Sequence, residues 1–373
     1  MTLRYKMNNF IMKTDKIQQT SSNKPHYVAL DGLRGVAAIV ILVYHYMEMI
    51  YLDDYTLNSL AHGFLAVDFF FCLSGFVIGY AYDGRVEKIG IKSFFINRLI
   101  RLHPLVVVGS IIGFIGYICN PFIDNPLASG WVGILLAFIL SMLLLPYPYI
   151  DYRGGGLFPY NTPAWSLFYE YIANVFYALV LVRIKRRYLI AVCFLSAIWL
   201  VYCAYSAGWL IGGWEIRSIG DGFARVAFSF SAGLLVYRYN LIVKHKLGFL
   251  LPCLLLLGVF FFPHFHNDWI TESILVIIIF PFILSIGAGS ETKGFMRSIC
   301  DFIGRLSYPL YMTHITTVWM FGDYYNKYQP TGIKLFLIVT VLSVINLLFA
   351  YIVMRWVDTP IRKWLINKRK DKY

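Results

Sequence analysis

Long apolar runs separated by short basic clusters dominate the chain. A bilayer core of about 30 Å needs about 20 apolar residues in helical form. Ten runs approach or exceed that length, at residues 35–52, 62–82, 103–119, 163–182, 188–208, 221–238, 247–263, 271–289, 306–321 and 333–355. They predict an all-α fold, a polytopic transmembrane helix bundle. An eleventh run, Trp131 to Pro146, is barely long enough, and the basic clusters decide how to treat it.

If that run does not cross, 28 of the 33 Lys and Arg side chains fall on one face. They come from the N-terminal tail, Arg34, the stretches 85–101, 183–187, 238–246 and 293–305, and the C-terminal end. A full crossing at Trp131–Pro146 would move Arg183–Arg187 to the other side. The run therefore reads as a re-entrant or interfacial segment, with both chain termini cytoplasmic. This divides the chain into a cytoplasmic tail (1–27), one membrane domain (28–360) and a basic cytoplasmic tail (361–373). Residues 1–27 have no apolar core, which predicts no cleavable signal peptide and leaves the first span as the targeting signal.

Composition agrees with a lipid-facing chain. Hydrophobic residues make up 59% and charged ones 14%, against about 25% charge in soluble domains. A disordered chain, a secreted disulfide scaffold and an ordinary cytosolic enzyme are excluded. The net charge of +13 would suit nucleic acid only if the cations lined a soluble face; as orientation signals they imply membrane lipid and no nucleic-acid partner. The six Cys have no metal-ligand spacing and read as small buried apolar residues. No Walker loop, GxSxG elbow or HExxH helix is present, and no metal site is expected.

Ionisable residues inside spans are costly and are functional candidates. Counting about 1.5 Å per residue from the outer end of each span, His45, Glu170 and His314 lie about 10 Å deep and Asp68 about 9 Å deep. Arg225 is slightly shallower. Two His, two acids and one Arg from five spans thus share one layer, a setting suited to general acid–base chemistry. Asp68 and Arg225 could instead be a structural pair, and Trp165 an interfacial anchor. Toward the cytoplasm, Arg98 and Arg101 stand at i, i+3 before Pro104, which suits a helix start or a kink. They are either phosphate-binding forks or positive-inside anchors. Asp31 is read as the N-cap of the first span, with Arg34 able to pair with it or with a ligand phosphate.

Several segments taken together resemble the acyltransferase-3 family of integral membrane acyltransferases. They are Leu30-Asp31-Gly32-Leu33-Arg34-Gly35 with His45, Val67-Asp68-Phe69-Phe70-Phe71 through Leu73-Ser74-Gly75-Phe76, and Arg98-Leu99-Ile100-Arg101 with Pro104. Trp165-Ser166-Leu167 with Glu170, and Ser307-Tyr308-Pro309-Leu310-Tyr311 with His314, complete the ordered set. The chain departs from the family at Ala66, at His103 and at Asp358-Thr359-Pro360, where a Glu is usual, which leaves the role of Asp358 open.

The resemblance implies transfer of an acyl group, usually acetyl, from cytoplasmic acyl-CoA to a hydroxyl of an extracytoplasmic carbohydrate such as a surface polysaccharide. Acyl-CoA is then a co-substrate held by Arg34, Arg98 and Arg101, with no tightly bound cofactor, and a bacterial inner membrane is the expected location. His45 and Glu170 become the catalytic pair, with His45 as general base oriented by Glu170, or as a nucleophile through an acyl-imidazole. Asp68, Trp165, Ser166, Arg225, Tyr308 and His314 support the site or bind substrate. The competing class is a proton-coupled secondary transporter that uses the same buried layer. Oligomeric state is not read from the sequence.

Overall fold

The computed structural model describes residues 26–52, 54–128, 130–148 and 155–370. The basic N-terminal residues before His26, Arg153 and Lys372 lie outside the described residues. Among those described, helices carry the fold and the one β contact is an isolated bridge between Gly156 and Glu215.

Among the described residues, eight helical segments are long and apolar enough to cross a membrane. We number the helices α1 (Val28–Ile50), α2 (Ala66–Tyr82), α3 (Ile91–Ile118), α4 (Trp131–Met142), α5 (Ala164–Phe176), α6 (Arg186–Ala207) and α7 (Ile219–Arg238). There follow α8 (Leu250–Phe260), α9 (Asp268–Gly289), α10 (Gly294–Thr313), α11 (Ile315–Tyr328), α12 (Gly332–Val353) and α13 (Thr359–Lys370). The lengths of two expected spans differ from the sequence reading. The 247–263 run contains an 11-residue helix, α8, and the 306–321 run straddles the joint between α10 and α11 at His314. At that joint Thr313 donates to the Pro309 carbonyl and Thr317 to the His314 carbonyl, each at 2.8 Å. The His314 carbonyl also accepts the Thr317 and Val318 N–H groups, so the Thr317 hydroxyl adds to backbone bonds at the joint. The Trp131–Pro146 run forms the 12-residue α4, about 18 Å long.

Two local readings are corrected. Asp31 does not cap α1; the helix starts three residues earlier, with Tyr27 at the cap, and Asp31 lies in its first turn. Nor does Pro104 begin a helix: α3 runs unbroken through it from Ile91. Residues 91–102 are too polar to count as membrane run yet are fully helical, so Arg98 and Arg101 sit on the same helix as the span.

Small residues set how closely the core helices pack, as expected where lipid supplies no hydrophobic drive between helices. A Cβ on Gly75 of α2 would fall 2.0 Å from the Phe230 carbonyl oxygen of α7. One on Gly233 of α7 would fall 1.8 Å from the Cys72 oxygen of α2. Gly35 and Gly304 play the same part between α1 and α10, against Ile303 and Asp31. These two crossings hold α1, α2, α7 and α10 together around the candidate site.

Candidate active site

Arg34 and His45 are eleven residues apart on α1, about 16 Å along the axis and within about 20° of one face. His45 Nδ1 lies 2.7 Å from Glu48 Oε2, one turn on. A carboxylate on Nδ1 keeps the proton there and leaves Nε2 as a lone-pair acceptor. The imidazole stacks on His314, with centroids 5.4 Å apart and planes at 24°. His314 is fully buried; its Nδ1 donates to the Leu310 carbonyl at 3.0 Å, and its Nε2 has no partner. Two imidazoles from α1 and the α10–α11 joint thus stand side by side, each with an Nε2 free of hydrogen bonds among the described residues.

Asp68 and Arg225 form the buried pair foreseen as the structural alternative. Arg225 Nη2 meets Asp68 Oδ2 at 2.6 Å, and Nε reaches both carboxylate oxygens at 3.1 and 3.2 Å. Its Nη1 donates to the Gly212 carbonyl at 2.8 Å, and the guanidinium lies 5.1 Å from the Trp165 ring centre. Trp165 is therefore a buried platform for a cation and not an interfacial anchor. Its neighbour Ser166 shares a 2.8 Å hydrogen bond with Tyr311, whose ring lies 6.0 Å from that of His314.

Glu170 departs from the expected layer. Its Oε1 accepts from Arg98 Nη2 at 2.6 Å and from Ser74 Oγ at 2.9 Å, and it makes no hydrogen bond with His45. Ser74 stands six residues further along α2 than Asp68, about 9 Å. Backbone depth placed Glu170 beside His45; its side chain runs the other way, toward the nearest cation. Arg98 is buried, with its Nε unpartnered, while Arg101 is exposed and has no hydrogen-bond partner among the described residues. Buried polar atoms of Tyr171 and Asn174, next to Glu170 and one turn beyond it, are unpartnered too.

Arg34 completes this end. It donates from Nε to Ser307 Oγ at 2.9 Å and from Nη2 to the Gly304 carbonyl at 2.8 Å, and it pairs with Asp31 at 2.9 Å. Tyr308 donates to the Leu102 carbonyl at 2.6 Å, tying α10 to α3. Arg362 on α13 lies within electrostatic reach of both Arg34 and Arg101. It is held by Asp358, which is buried and hydrogen-bonded to two of its nitrogens. That pairing supplies the contact missing for Asp358 in the sequence.

A family model described as an acyltransferase domain, acyltransferase-3, matches residues 27–355. The chain belongs to this acyltransferase family. Among relatives of this acyltransferase, a Rhizobium radiobacter protein called protein 2 in the picA locus is 32% identical over 194 residues, covering 50% of this chain and 98% of that protein. A Staphylococcus aureus protein whose name proposes an O-acetyltransferase is 27% identical over 92% of this chain; the match spans 59% of that longer protein. The acyltransferase MdmB of Streptomyces mycarofaciens is 31% identical over 38% of this chain and 36% of its own length. No solved structure matches.

Glu48 and Arg362 were missed in the sequence. Glu48 was available as an acid at i+3 from His45, on one helical face. Arg362 was counted only as an orientation signal; its position beside Arg34 depends on α13 folding back on α3, where Arg369 Nη1 meets Asn97 Oδ1 at 2.5 Å.

Proposed function

We propose that the chain is a membrane-embedded O-acyltransferase moving an acetyl or similar acyl group from cytoplasmic acyl-CoA to a hydroxyl of an extracytoplasmic carbohydrate. The observation that carries this reading is the disposition of α1: a His held in one tautomer about 16 Å along the helix from Arg34 on the same face, with Arg101 and Arg362 within electrostatic reach of Arg34. Arg34, Arg101 and Arg362 suit the CoA phosphates, with Arg98 fixed behind them by Glu170. The pantetheine arm spans the interval and presents the thioester near His45. The basic residues on the CoA side support a cytoplasmic position for that end and suit a bacterial inner membrane.

In the proposed step His45 Nε2 takes the proton of the acceptor hydroxyl as its oxygen attacks the thioester carbonyl. The tetrahedral adduct collapses, the C–S bond breaks, and His45 returns the proton to the departing CoA sulfur. Glu48 stabilises the imidazolium between these events, the part first assigned to Glu170. Asp68, Arg225, Trp165 and Ser166 hold the helices around this space, and Tyr308 keeps α10 against α3. Water exclusion from the bundle limits thioester hydrolysis.

The free Nε2 of buried His314 favours one second reading. If His45 itself takes the acyl group and releases CoA thiol, His314 is placed to accept the hydroxyl proton in the second half-reaction. Radiolabelled acetyl-CoA given to the purified protein without acceptor distinguishes the two: label retained on the chain supports the acyl-enzyme, and none supports direct transfer. The function itself is tested by mass spectrometry of surface glycans from a deletion strain. Loss of an O-acyl mass, restored by the wild type and not by His45→Ala, is the expected result.

A further inference from the structure

At the end of the bundle where α1 finishes, a second histidine cluster is separate from His45. We propose that His62, His264 and Asp268 bind one zinc ion there and so fasten the segment leading into α2 to the turn between α8 and α9. One candidate ligand atom from each residue lies within 4.8 Å of the other two. The two imidazole centroids are 5.2 Å apart. Nothing in the spacing of the sequence suggested this, because His62 and His264 belong to distant segments.

His62 is the residue that points to a ligand. It is fully buried, and its Nδ1 lies 3.2 Å from Oε1 of Glu272, which is also fully buried. Glu272 is anchored in turn by the Leu210 N–H at 2.5 Å. With its proton held toward Glu272, His62 is left with Nε2 as a lone-pair acceptor, and that atom has no hydrogen-bond partner. A buried polar atom without a partner is costly. A carboxylate behind the opposite nitrogen is also the usual support for a metal-bound His, because it fixes the tautomer and raises the basicity of the ligating atom.

The other two ligands are set by short local bonds. Asp268 Oδ1 accepts the Phe265 N–H at 2.8 Å, and Oδ2 meets His264 Nδ1 at 2.7 Å. Zinc would replace the proton shared by that pair, taking His264 Nδ1 and Asp268 Oδ2 as ligands beside His62 Nε2. Two imidazoles and a carboxylate form a donor set that suits zinc in tetrahedral geometry. Zinc ligands in such a site stand about 3.3 Å apart, so the 2.7 Å His264–Asp268 pair must open while His62 draws inward. His264 and Asp268 also line a cavity of about 630 Å³, together with Tyr55 and Asn58. If His264 and Asp268 served only as an ion pair, the unpartnered His62 nitrogen would have no account.

The ion would act on structure and not on the reacting atoms. His62 packs 6.4 Å from the Phe64 ring, which lies 6.0 Å from Tyr44, the residue before His45. Joining His62 to His264 would fix this approach to the α1 end from outside.

The test uses the full chain in detergent without a histidine tag, stripped with chelator and titrated with zinc or cobalt(II). One equivalent is expected to bind with the visible spectrum of tetrahedral cobalt, and zinc is expected to raise the melting temperature. His264→Ala and Asp268→Asn should each weaken binding more than tenfold and abolish the zinc-dependent rise. His245→Ala, at a histidine outside the cluster, should leave both unchanged. His62→Gln, checked for folding by size exclusion, should behave like His264→Ala. No stoichiometric uptake, or uptake that survives both His264→Ala and Asp268→Asn, would overturn the site.

Discussion

His45 and Glu48 form a one-turn couple on α1, Nδ1 to Oε2 at 2.7 Å, and this sets which imidazole nitrogen is free. Replacing Glu48 by Gln keeps a hydrogen-bond acceptor of similar shape but removes the charge that steadies a protonated ring. We expect kcat for acetyl transfer to fall in Glu48→Gln with little change in KM for acyl-CoA. His45→Ala should fall further, by about the 10²–10⁴-fold a general base contributes. Steady-state kinetics in detergent measure both. An unchanged kcat in Glu48→Gln would remove Glu48 from the mechanism.

Arg98 and Arg101 share a helix turn but not an environment, so their substitutions should separate. Arg101 is exposed and without a hydrogen-bond partner among the described residues. Arg101→Ala is expected to raise KM for acyl-CoA while the melting temperature stays put. Arg98→Ala leaves Glu170 unpaired within the bundle and should cost about 3 kcal/mol of stability. The double variant Arg98→Ala/Glu170→Ala should recover part of that loss, because no orphan charge remains. Equal melting temperatures for Arg98→Ala and Arg101→Ala would contradict the pairing.

The limits of reading this fold from sequence are visible at particular residues. The run at 62–82 coincides with the observed span Gly63–Tyr82, because apolar length alone defines such a segment. At His314 hydropathy carried no trace of the joint, since the break spans a single residue and the flanking Thr313 and Thr317 look only mildly polar. The Asp68–Arg225 pair was legible because both side chains project from similar backbone depth. Glu170 with Arg98 was not, because a long guanidinium side chain brings together residues whose backbones stand at different depths. Family segments located the candidate residues, but the contacts between them needed the packed helices.

Close packing of α2 on α7 gives two glycine substitutions of opposite sign. Gly233→Ala places a methyl group 1.8 Å from the Cys72 carbonyl oxygen, so the two helices must separate. Gly220, on the same helix, has open space at its Cβ position. Gly220→Ala should stabilise by up to about 1 kcal/mol through helix propensity alone, whereas Gly233→Ala should destabilise. Thermal unfolding of the two variants side by side measures the difference. A Gly233→Ala protein as stable as wild type would mean that the α2–α7 crossing is looser than described.

The start of α1 carries a pH-sensitive contact just before the span. His26 Nε2 lies 2.8 Å from Asp31 Oδ2, and this hydrogen bond, opposed in part by burial, raises the His26 pKa above its ordinary value of 6.5. A raised folded-state pKa means that protonated His26 favours the folded chain. Its contribution is complete below pH of about 6.5, the unfolded value, and disappears as pH climbs through the raised folded value. The ring is 60% exposed, so solvent keeps the effect small. We expect the melting temperature of His26→Gln to lie below wild type at a pH of about 6 and to meet it at about 9, while Asp31 stays paired with Arg34. A gap of constant size across that range would show that His26 acts through packing and not through its charge.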